Sequence, residues 1–325
     1  MTAFTTTTQV TGTRISGLGS SQPDTVVSNH DLAQYMDTSD EWIRDRVGIV
    51  NRRFAGPDLS LADMAVDAGS KAVADAGLSP TDIGAVIVAT CTMPSPIPNA
   101  AAQVADRIGV KAAPAFDVNA ACAGFCYALA AASDMVRAGS ANHVLVIGAE
   151  KLTDWVRKDD RSNAIIFADG AGAAVVSATD EPAIGPVVWG SAGDMSNLIE
   201  IPDRDSFIHQ EGQSVFRWAT TRIAPIALRA VEAAGLTAAD VDALVPHQAN
   251  LRIVEAIAKK LRSSGAREDL VVARDIVESG NTSSASIPLA MDHMRASGEI
   301  KSGDVLLLIG FGAGLSYAGQ VVRCP

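Results

Sequence analysis

Three residues of the chain have side chains that could together carry out acyl transfer: a cysteine, a histidine and an asparagine. Cys122 follows a strand-like run and precedes a helical pattern, so its thiol lies at a strand-to-helix turn among small residues that let a substrate approach. The positive end of that helix favours the thiolate, which is the nucleophilic form. A small buried cysteine fits the same turn, so the local pattern alone leaves both interpretations open.

The histidine and the asparagine stand at the starts of similar elements. His247 directly follows an apolar strand and precedes a helical pattern, a placement that is more typical of a site than of a core histidine. Asn281 lies at a loop-to-helix turn whose place in the chain's second half matches that of Cys122 in the first. Helix capping would explain Asn281 taken alone, whereas its relation to Cys122 favours a role in a site.

An internal repeat supplies the elements that position these side chains. Residues 72–86 (AVADAGLSPTDIGAV) and 230–244 (AVEAAGLTAADVDAL) align without a gap, each reading as a helix ended by glycine and followed by an apolar strand. The runs VLVIG at 144–148 and VLLLIG at 305–310 form a second pair in the same order. The sequence therefore predicts two duplicated α/β halves, residues 1–180 and 181–325, with a site between them near the carboxyl ends of strands.

Composition limits the classes of function. The net charge of −11 argues against general nucleic-acid binding, and the longest apolar runs are too short to span a membrane. The first residues show no signal-peptide pattern, so we expect a cytoplasmic location in which the four cysteines stay reduced. No cysteine–histidine cluster has the spacing of a zinc site, so we expect no metal.

Taken together, the motifs resemble those of β-ketoacyl-[acyl-carrier-protein] synthase III. They are NAACAGF at 119–125, VPHQANLRI at 245–253, GNTSSASIP at 280–288 and GFGAG at 310–314, with DTSDEWIRDRVGI at 37–49, FADGAGAAV at 167–175 and GQSVFRWA at 212–219. The resemblance covers nearly the whole chain in the family's order. It implies the thiolase fold, five α-β-α-β-α layers from two pseudo-symmetric halves, together with a homodimer and the initiation of type II fatty-acid synthesis.

The resemblance also implies a reaction. Cys122 looks like the nucleophile that accepts an acyl group from acyl-coenzyme A, with the backbone N–H groups of Cys122 and Ala313 as its oxyanion hole. His247 and Asn281 look like the pair that holds the enolate formed when malonyl-[acyl-carrier protein] loses CO₂. Acyl-coenzyme A is then a substrate, and no cofactor is expected. Ala313 departs from the glycine of many relatives, but it keeps the backbone donor.

Further contacts are carried over from the family residue by residue. The coenzyme A contacts implied are Thr38, Trp42, Arg46, Arg161, Gly212, Phe216 and Asn250. The implied acyl pocket includes Phe311 and Ile97, and Ile97 would reach the pocket of the neighbouring subunit, where some relatives carry phenylalanine. The implied carrier-protein dock consists of Arg217, Arg252, Lys259 and Lys260. A solvated helix face is the alternative interpretation of that charge pattern.

Other enzymes of the superfamily match less well. A degradative thiolase would need a second cysteine where residues 312–314 read Gly-Ala-Gly, and elongating synthases use a second histidine where this chain has Asn281. A hydroxymethylglutaryl-type synthase would need a glutamate base, and the Cys122 motif contains none. A starter-unit ketosynthase or acyltransferase of a secondary-metabolite pathway stays open, as does an inactive acyl-binding scaffold.

Overall fold

The computed structural model describes residues 12–325, which form two five-stranded sheets, two small two-stranded sheets and three layers of helices. The strands are β1 Gly12–Ser21, β2 Val26–Ser28, β3 Asn51–Arg53, β4 Ala85–Ala89, β5 Ala115–Val118, β6 His143–Lys151, β7 Asp169–Thr179, β8 Val188–Gly190, β9 Ile199–Glu200, β10 His209–Gln210, β11 Ala243–Pro246, β12 Val271–Val272, β13 Val305–Phe311 and β14 Tyr317–Arg323. The helices are α1 Asn29–Leu32, α2 Asp40–Val47, α3 Leu61–Asp75, α4 Ala100–Ile108, α5 Gly124–Arg137, α6 Gly212–Ala233, α7 Leu251–Ser263, α8 Ile276–Ser279 and α9 Ser286–Ser297.

The two five-stranded sheets have the same topology. The first runs in the order β1-β7-β6-β4-β5, and the second, read from its other edge, runs β8-β14-β13-β11-β12. In each sheet the second strand in this order, β7 or β14, is antiparallel to both of its neighbours, and the fourth strand, β4 or β11, is parallel to both of its neighbours. The central strands are continuous apolar runs because both of their faces are covered. The repeat seen in the sequence is therefore a repeat of a whole sheet with its helices.

Five layers result from the way the helices cover these sheets. Helices α3 and α4 pack on the outer face of the first sheet, and α6 and α7 pack on the outer face of the second. Between the sheets, α5 and α9 share one core with residues of both. The five-layered α-β-α-β-α thiolase fold predicted from the sequence is confirmed.

Two glycines let the central layer approach the first sheet closely. A Cβ on Gly148 in β6 would overlap the carbonyl oxygen of Ser284, and one on Gly172 in β7 would lie 2.6 Å from the backbone nitrogen of Leu289. Distances this short exclude any side chain at either position. The turn that begins α9 is thus pressed against the first sheet, which places residues of the second half next to the Cys122 turn of the first.

The division of the chain into residues 1–180 and 181–325 stays a prediction. The last strand of the first sheet ends at Thr179, and the first strand of the second sheet begins at Val188. Within residues 12–325, no helix is long and apolar enough to cross a membrane. The same part of the chain contains no group of three or more His, Cys, Asp or Glu residues that could hold a metal ion.

Candidate active site

Cys122 lies on a tight turn between β5 and α5. The residue before it, Ala121, has a φ of 45°, a left-handed conformation that costs a non-glycine residue about 1–3 kcal/mol. One 3₁₀ turn, Ala121–Ala123, then leads into α5. On the other side stands Gly312, where an added Cβ would lie 2.9 Å from Cys122 Sγ and 2.6 Å from Cys122 Cβ. The thiol is therefore held between a strained turn of the first half and the glycine-rich end of β13 in the second.

The surroundings of this thiol favour the protonated form more than the sequence suggested. Burial raises the pKa of Cys122 to about 12, although a hydrogen bond from the Ser283 hydroxyl acts in the opposite direction. The nearby Glu150 carboxyl raises the pKa further. The positive helix end expected from the sequence works against this burial, so forming the thiolate requires a group that takes its proton.

His247 is a buried, neutral imidazole at the end of β11. It is 2% exposed, and burial lowers its pKa to about 3. Its Nδ1 lies 2.7 Å from the hydroxyl oxygen of Ser286 in α9, and its ring meets the Phe311 ring edge-on at 5.3 Å. The next residue, Gln248, is fully buried and bonds the backbone at Pro246, Ala273 and Ile276, which fixes the chain where the histidine begins its turn. The imidazole is thus a fixed and uncharged hydrogen-bonding group.

Asn281 is oriented by its own turn. Its side-chain oxygen accepts the backbone N–H of Ser283 at 2.8 Å, so the NH₂ end is the one left for a ligand. The first half repeats this geometry, because the side-chain oxygen of Asn119 accepts the N–H of Ala121 at 3.3 Å. Ala121 and Ser283 both have left-handed backbones, with φ of 45° and 51°. By this match the mate of Asn281 is Asn119, three residues before Cys122.

One cavity of about 1340 Å³ contains all three side chains. Of the residues predicted for the site, its wall includes Cys122, His247, Asn281, Ala313, Trp42, Arg46, Arg161, Gly212, Phe216, Asn250, Phe311, Arg217 and Arg252. Groups from both halves of the chain therefore converge on one space, as the predicted position between the halves requires.

A cationic cluster surrounds an indole in the wall of this cavity. The guanidinium of Arg161 lies 4.7 Å from the centre of the Trp42 ring, and that of Arg46 lies 5.3 Å from it. Arg161 also donates to the carbonyl oxygen of Asp37 at 2.9 Å. Across the wall, the guanidinium of Arg252 lies 5.2 Å from the Phe216 ring. Flat rings stacked with cations suit an anionic ligand that has an aromatic base.

Four predicted residues lie outside the cavity wall. Thr38 is half-buried, and its hydroxyl has no hydrogen-bond partner in the described part of the chain. Ile97 is 80% exposed and is not part of this cavity wall. Lys259 and Lys260 are exposed near the end of α7, away from the cavity, whereas Arg252 at the start of that helix reaches it.

Several polar residues near Cys122 were missed in the sequence. Glu150 at the end of β6 is fully buried and bonds Thr92, Ser283 and Ser284, which are also buried. The signal was a carboxylate directly after a continuous apolar strand, where burial without a partner would be costly. A glutamate is indeed present near the cysteine, although it comes from a different segment than the Cys122 motif.

Comparisons with known proteins agree with this fold. The family description "3-Oxoacyl-[acyl-carrier-protein (ACP)] synthase III" matches residues 116–193, and its C-terminal counterpart matches residues 231–324. The chain is 54% identical to β-ketoacyl-[acyl-carrier-protein] synthase III 4 of Streptomyces coelicolor over 97% of this chain and 99% of that protein. A Streptomyces avermitilis relative, synthase III 2, is also 54% identical with the same coverage. The crystal structure of the priming β-ketosynthase from the R1128 polyketide biosynthetic pathway superposes with a TM-score of 0.94 at 42% identity, covering 99% of this chain and 98% of that one.

The layered fold and these relatives define a condensing enzyme of the acyltransferase type with the thiolase fold. Within that class, the chain belongs to the 3-oxoacyl-[acyl-carrier-protein] synthase III family.

Proposed function

We propose that the enzyme condenses an acyl-coenzyme A starter with malonyl-[acyl-carrier protein] to give a 3-oxoacyl-[acyl-carrier protein], the first condensation of type II fatty-acid synthesis. The observation that carries the proposal is one cavity that holds a thiol, a neutral imidazole and a carboxamide NH₂. These groups match the two needs of the reaction, a nucleophile for the acyl group and uncharged donors for an enolate.

In the first half-reaction, Cys122 Sγ attacks the acyl carbon and coenzyme A leaves as the thiol. The backbone N–H groups of Cys122 and Ala313 are the proposed oxyanion donors. Each lies at the beginning of a 3₁₀ turn, where N–H groups have no acceptor within the turn. Gly312, which contacts Cys122, brings the two turns together. One donor of this kind typically contributes about a hundredfold or more in rate.

In the second half-reaction, the malonyl group loses CO₂, and the resulting enolate attacks the acyl-Cys122 carbonyl. The oxygen of the enolate needs donors, and we assign them as His247 Nε2–H and Asn281 Nδ2–H. Ser286 Oγ accepts the Gln248 N–H at 3.3 Å, and its own proton is then directed to His247 Nδ1. This arrangement leaves the imidazole proton on Nε2. Since the imidazole stays neutral, it donates without adding a charge.

Product analysis tests this proposal. The enzyme, an acyl-coenzyme A and malonyl-[acyl-carrier protein] are mixed, and the carrier protein is analysed by mass spectrometry. We expect the 3-oxoacyl carrier protein, together with an acyl adduct on the Cys122 peptide when the malonyl substrate is omitted. Acyl transfer without carbon–carbon bond formation would contradict condensation, and the absence of any Cys122 adduct would favour a binding scaffold.

Priming of a secondary-metabolite pathway is the second candidate, and it is favoured by the similarity to the R1128 priming β-ketosynthase. The chemistry at Cys122 would be the same, but the carrier protein and the starter would differ. Comparing kcat/KM for fatty-acid and polyketide acyl carrier proteins separates the two. A preference of tenfold or more for the polyketide carrier would assign the chain to the dedicated pathway.

The choice of starter is proposed to depend on a homodimer. Ile97 is 80% exposed on the loop after β4, and Ser95 and Pro96 of that loop line the cavity. We propose that Ile97 completes the acyl pocket of the partner subunit opposite Phe311. Because isoleucine is smaller than the phenylalanine that some relatives carry there, the pocket should admit branched starters. Initial rates with acetyl- and isobutyryl-coenzyme A test this, as does the mass in solution. A strong acetyl preference or a monomer would contradict it.

The proposed contacts with coenzyme A and the carrier protein form one path toward the mouth of the cavity. Trp42, with the guanidinium groups of Arg46 and Arg161 near its ring, would hold the adenine, with Thr38, Gly212, Phe216 and Asn250 as further contacts. The proposed carrier-protein dock is Arg217 and Arg252 at the cavity with Lys259 and Lys260 farther along α7. No cofactor takes part in this scheme. The proposed compartment is the cytoplasm, where the thiols of Cys91 and Cys122 stay reduced.

A further inference from the structure

A fully buried carboxyl group lies behind the Cys122 sulfur and has no part in the scheme above. Glu150 is 0% exposed, and no lysine or arginine pairs with it in residues 12–325. Lys151, the next residue, bonds the carbonyl oxygen of Gly56 and lies 3.7 Å from Asp154 instead. A buried carboxyl without a cation is costly, so its presence beside a nucleophile requires an explanation.

Hydroxyl groups connect this carboxyl to the nucleophile. Cys122 and Ser283 line the same cavity, and the Ser283 hydroxyl lies 3.1 Å from Glu150 Oε1. The Ser283 hydroxyl also acts to lower the pKa of Cys122. The charge of Glu150 acts directly on the pKa of Cys122 as well. Ser283 therefore connects the cavity that contains the Cys122 thiol with the buried Glu150 carboxyl.

The partners of Glu150 suit both of its protonation states. The ionised form receives the Thr92 hydroxyl at 2.6 Å and the Cys91 N–H at 3.2 Å. The Ser284 hydroxyl lies 2.8 Å from both Glu150 Oε1 and the carbonyl oxygen of Ala89, and it has one proton to give. When Glu150 is ionised, Ser284 can donate to it. When Glu150 is protonated, it donates to Ser284, which then donates to Ala89.

We propose that Glu150 stores the Cys122 thiol proton through Ser283 while the enzyme is acylated. As the Cys122 sulfur bonds to the acyl carbon, its proton moves to Ser283 Oγ, and the Ser283 proton moves to Glu150. The bond between the acyl carbon and the coenzyme A sulfur breaks, and the coenzyme A thiolate takes a proton from solvent. When the enolate later displaces the sulfur, the Cys122 thiolate regains the stored proton by the same route. Glu150 touches no substrate, so it is a positioning residue that acts through Ser283.

Other titratable groups lie close to Glu150, Ser283 and Cys122. Cys91 Sγ lies 3.4 Å from Glu150 Oε1 and 3.8 Å from Ser283 Oγ, and burial raises its pKa well above the usual value. His247 lines the same cavity, but burial lowers its pKa to about 3. Burial also raises the pKa of Glu150, opposed by its hydrogen bonds to Thr92 and Ser284. A carboxyl with a raised pKa is a better match for a thiol proton than this imidazole is.

The test measures how fast iodoacetamide alkylates Cys122 between pH 5 and pH 10, with mass spectrometry separating the Cys122 peptide from that of Cys91. If the proton can move within the pair, the once-protonated pair contains a fixed fraction of thiolate, so the thiolate fraction is constant from the lower macroscopic pKa up to the pH at which the fully deprotonated pair becomes the main source of thiolate. The wild-type rate should then be independent of pH over that range. In Glu150→Gln the alkylation rate should fall tenfold for each unit by which the pH is lowered, because the thiol proton must then leave to solvent.

Further variants separate the relay from a structural role. Ser283→Ala should lose the pH-independent range as Glu150→Gln does, and the double variant should lose no more than either single one. Asp169→Asn is the matched control, since Asp169 is also a buried carboxyl bonded to a hydroxyl, that of Thr153, and it should keep the range. A range that persists in both Glu150→Gln and Ser283→Ala would overturn the proposal and point to His247 as the proton acceptor. Additive losses in the double variant would also overturn it.

The inference rests on the proposed function for its role in acylation, where Glu150→Gln should slow acyl-Cys122 formation by about a hundredfold. The alkylation test contains neither coenzyme A nor carrier protein. If the wild type shows no pH-independent range of the alkylation rate but still forms the 3-oxoacyl product, the proton relay alone is rejected. If the wild type shows that range but forms no 3-oxoacyl product, the proposed function alone is rejected.

Discussion

The contact between Gly312 and Cys122 allows a demanding test of the site. An added methyl group at Gly312 would lie 2.6 Å from Cys122 Cβ, 2.9 Å from its Sγ and 3.0 Å from its backbone nitrogen. The backbone of Gly312 is extended, with φ 178° and ψ −148°, so alanine meets no conformational penalty there. The only effect of Gly312→Ala is therefore to push the Cys122 turn and the end of β13 apart.

The size of that displacement sets the expected effect. Carbon atoms in ordinary van der Waals contact are about 3.5–4.0 Å apart, so the two segments must separate by about 1 Å. A misplacement of that size can cost about a hundredfold in rate, which corresponds to about 2.7 kcal/mol in the activation free energy. Acylation should be affected most, because the sulfur and the proposed oxyanion donor on Ala313 move apart.

The assay is the rate of acyl-Cys122 formation from acetyl-coenzyme A, measured by rapid quench and mass spectrometry, alongside the thermal unfolding midpoint. Gly56→Ala is the matched control, since a Cβ there meets no atom within 4 Å, and it should leave the rate unchanged. An acylation rate in Gly312→Ala within threefold of wild type would refute the argument that this contact positions the nucleophile.

Three further predictions concern the rest of the site. Because burial lowers the pKa of His247 to about 3, the condensation rate should not fall near pH 6.5, where an ordinary histidine gains a proton. Only the unfolded chain protonates this histidine below pH 6.5, so the unfolding free energy of the wild type should fall by up to about 1.4 kcal/mol per pH unit relative to that of His247→Gln. Urea titrations at pH 5–8 measure this difference. Asn281→Asp should acylate normally but condense at least about a hundredfold more slowly in single-turnover assays, because a carboxylate cannot donate to the enolate. Reversing Lys259 and Lys260 to Glu should raise KM for malonyl-[acyl-carrier protein] about tenfold without changing acylation by acyl-coenzyme A, whereas Lys301→Glu, on another exposed segment, should change neither.

The fold could be predicted from the sequence because its information is local and is repeated. Helix–glycine–strand units at one spacing predicted the duplication, and continuous apolar strands such as Val305–Phe311 predicted sheets covered on both faces. The position of Cys122 followed from the strand and helix on either side of it. None of these inferences needed knowledge of long-range contacts.

The polar surroundings of the site could not be predicted in the same way. Glu150 and Ser283 are 133 residues apart in the chain, and only the packing of α9 against the first sheet brings them together. The raised pKa of Cys122 likewise depends on burial by both halves, which a turn pattern does not reveal. Thr38 and Ile97 lie outside the cavity wall of their own chain, so the roles that the resemblance implies for them stay predictions.

The duplicated turn also determines how many substrates one chain can load. Ser284 is the middle residue of the 3₁₀ turn Ser283–Ala285, the position that Cys122 has in the turn Ala121–Ala123, so the duplicated fold contains two equivalent positions for a nucleophile. The Ser284 oxygen is instead turned inward against Ala89 and Glu150, and the residue is 1% exposed. Saturating acyl donor should thus label each polypeptide once, and the second turn serves the first as part of its scaffold.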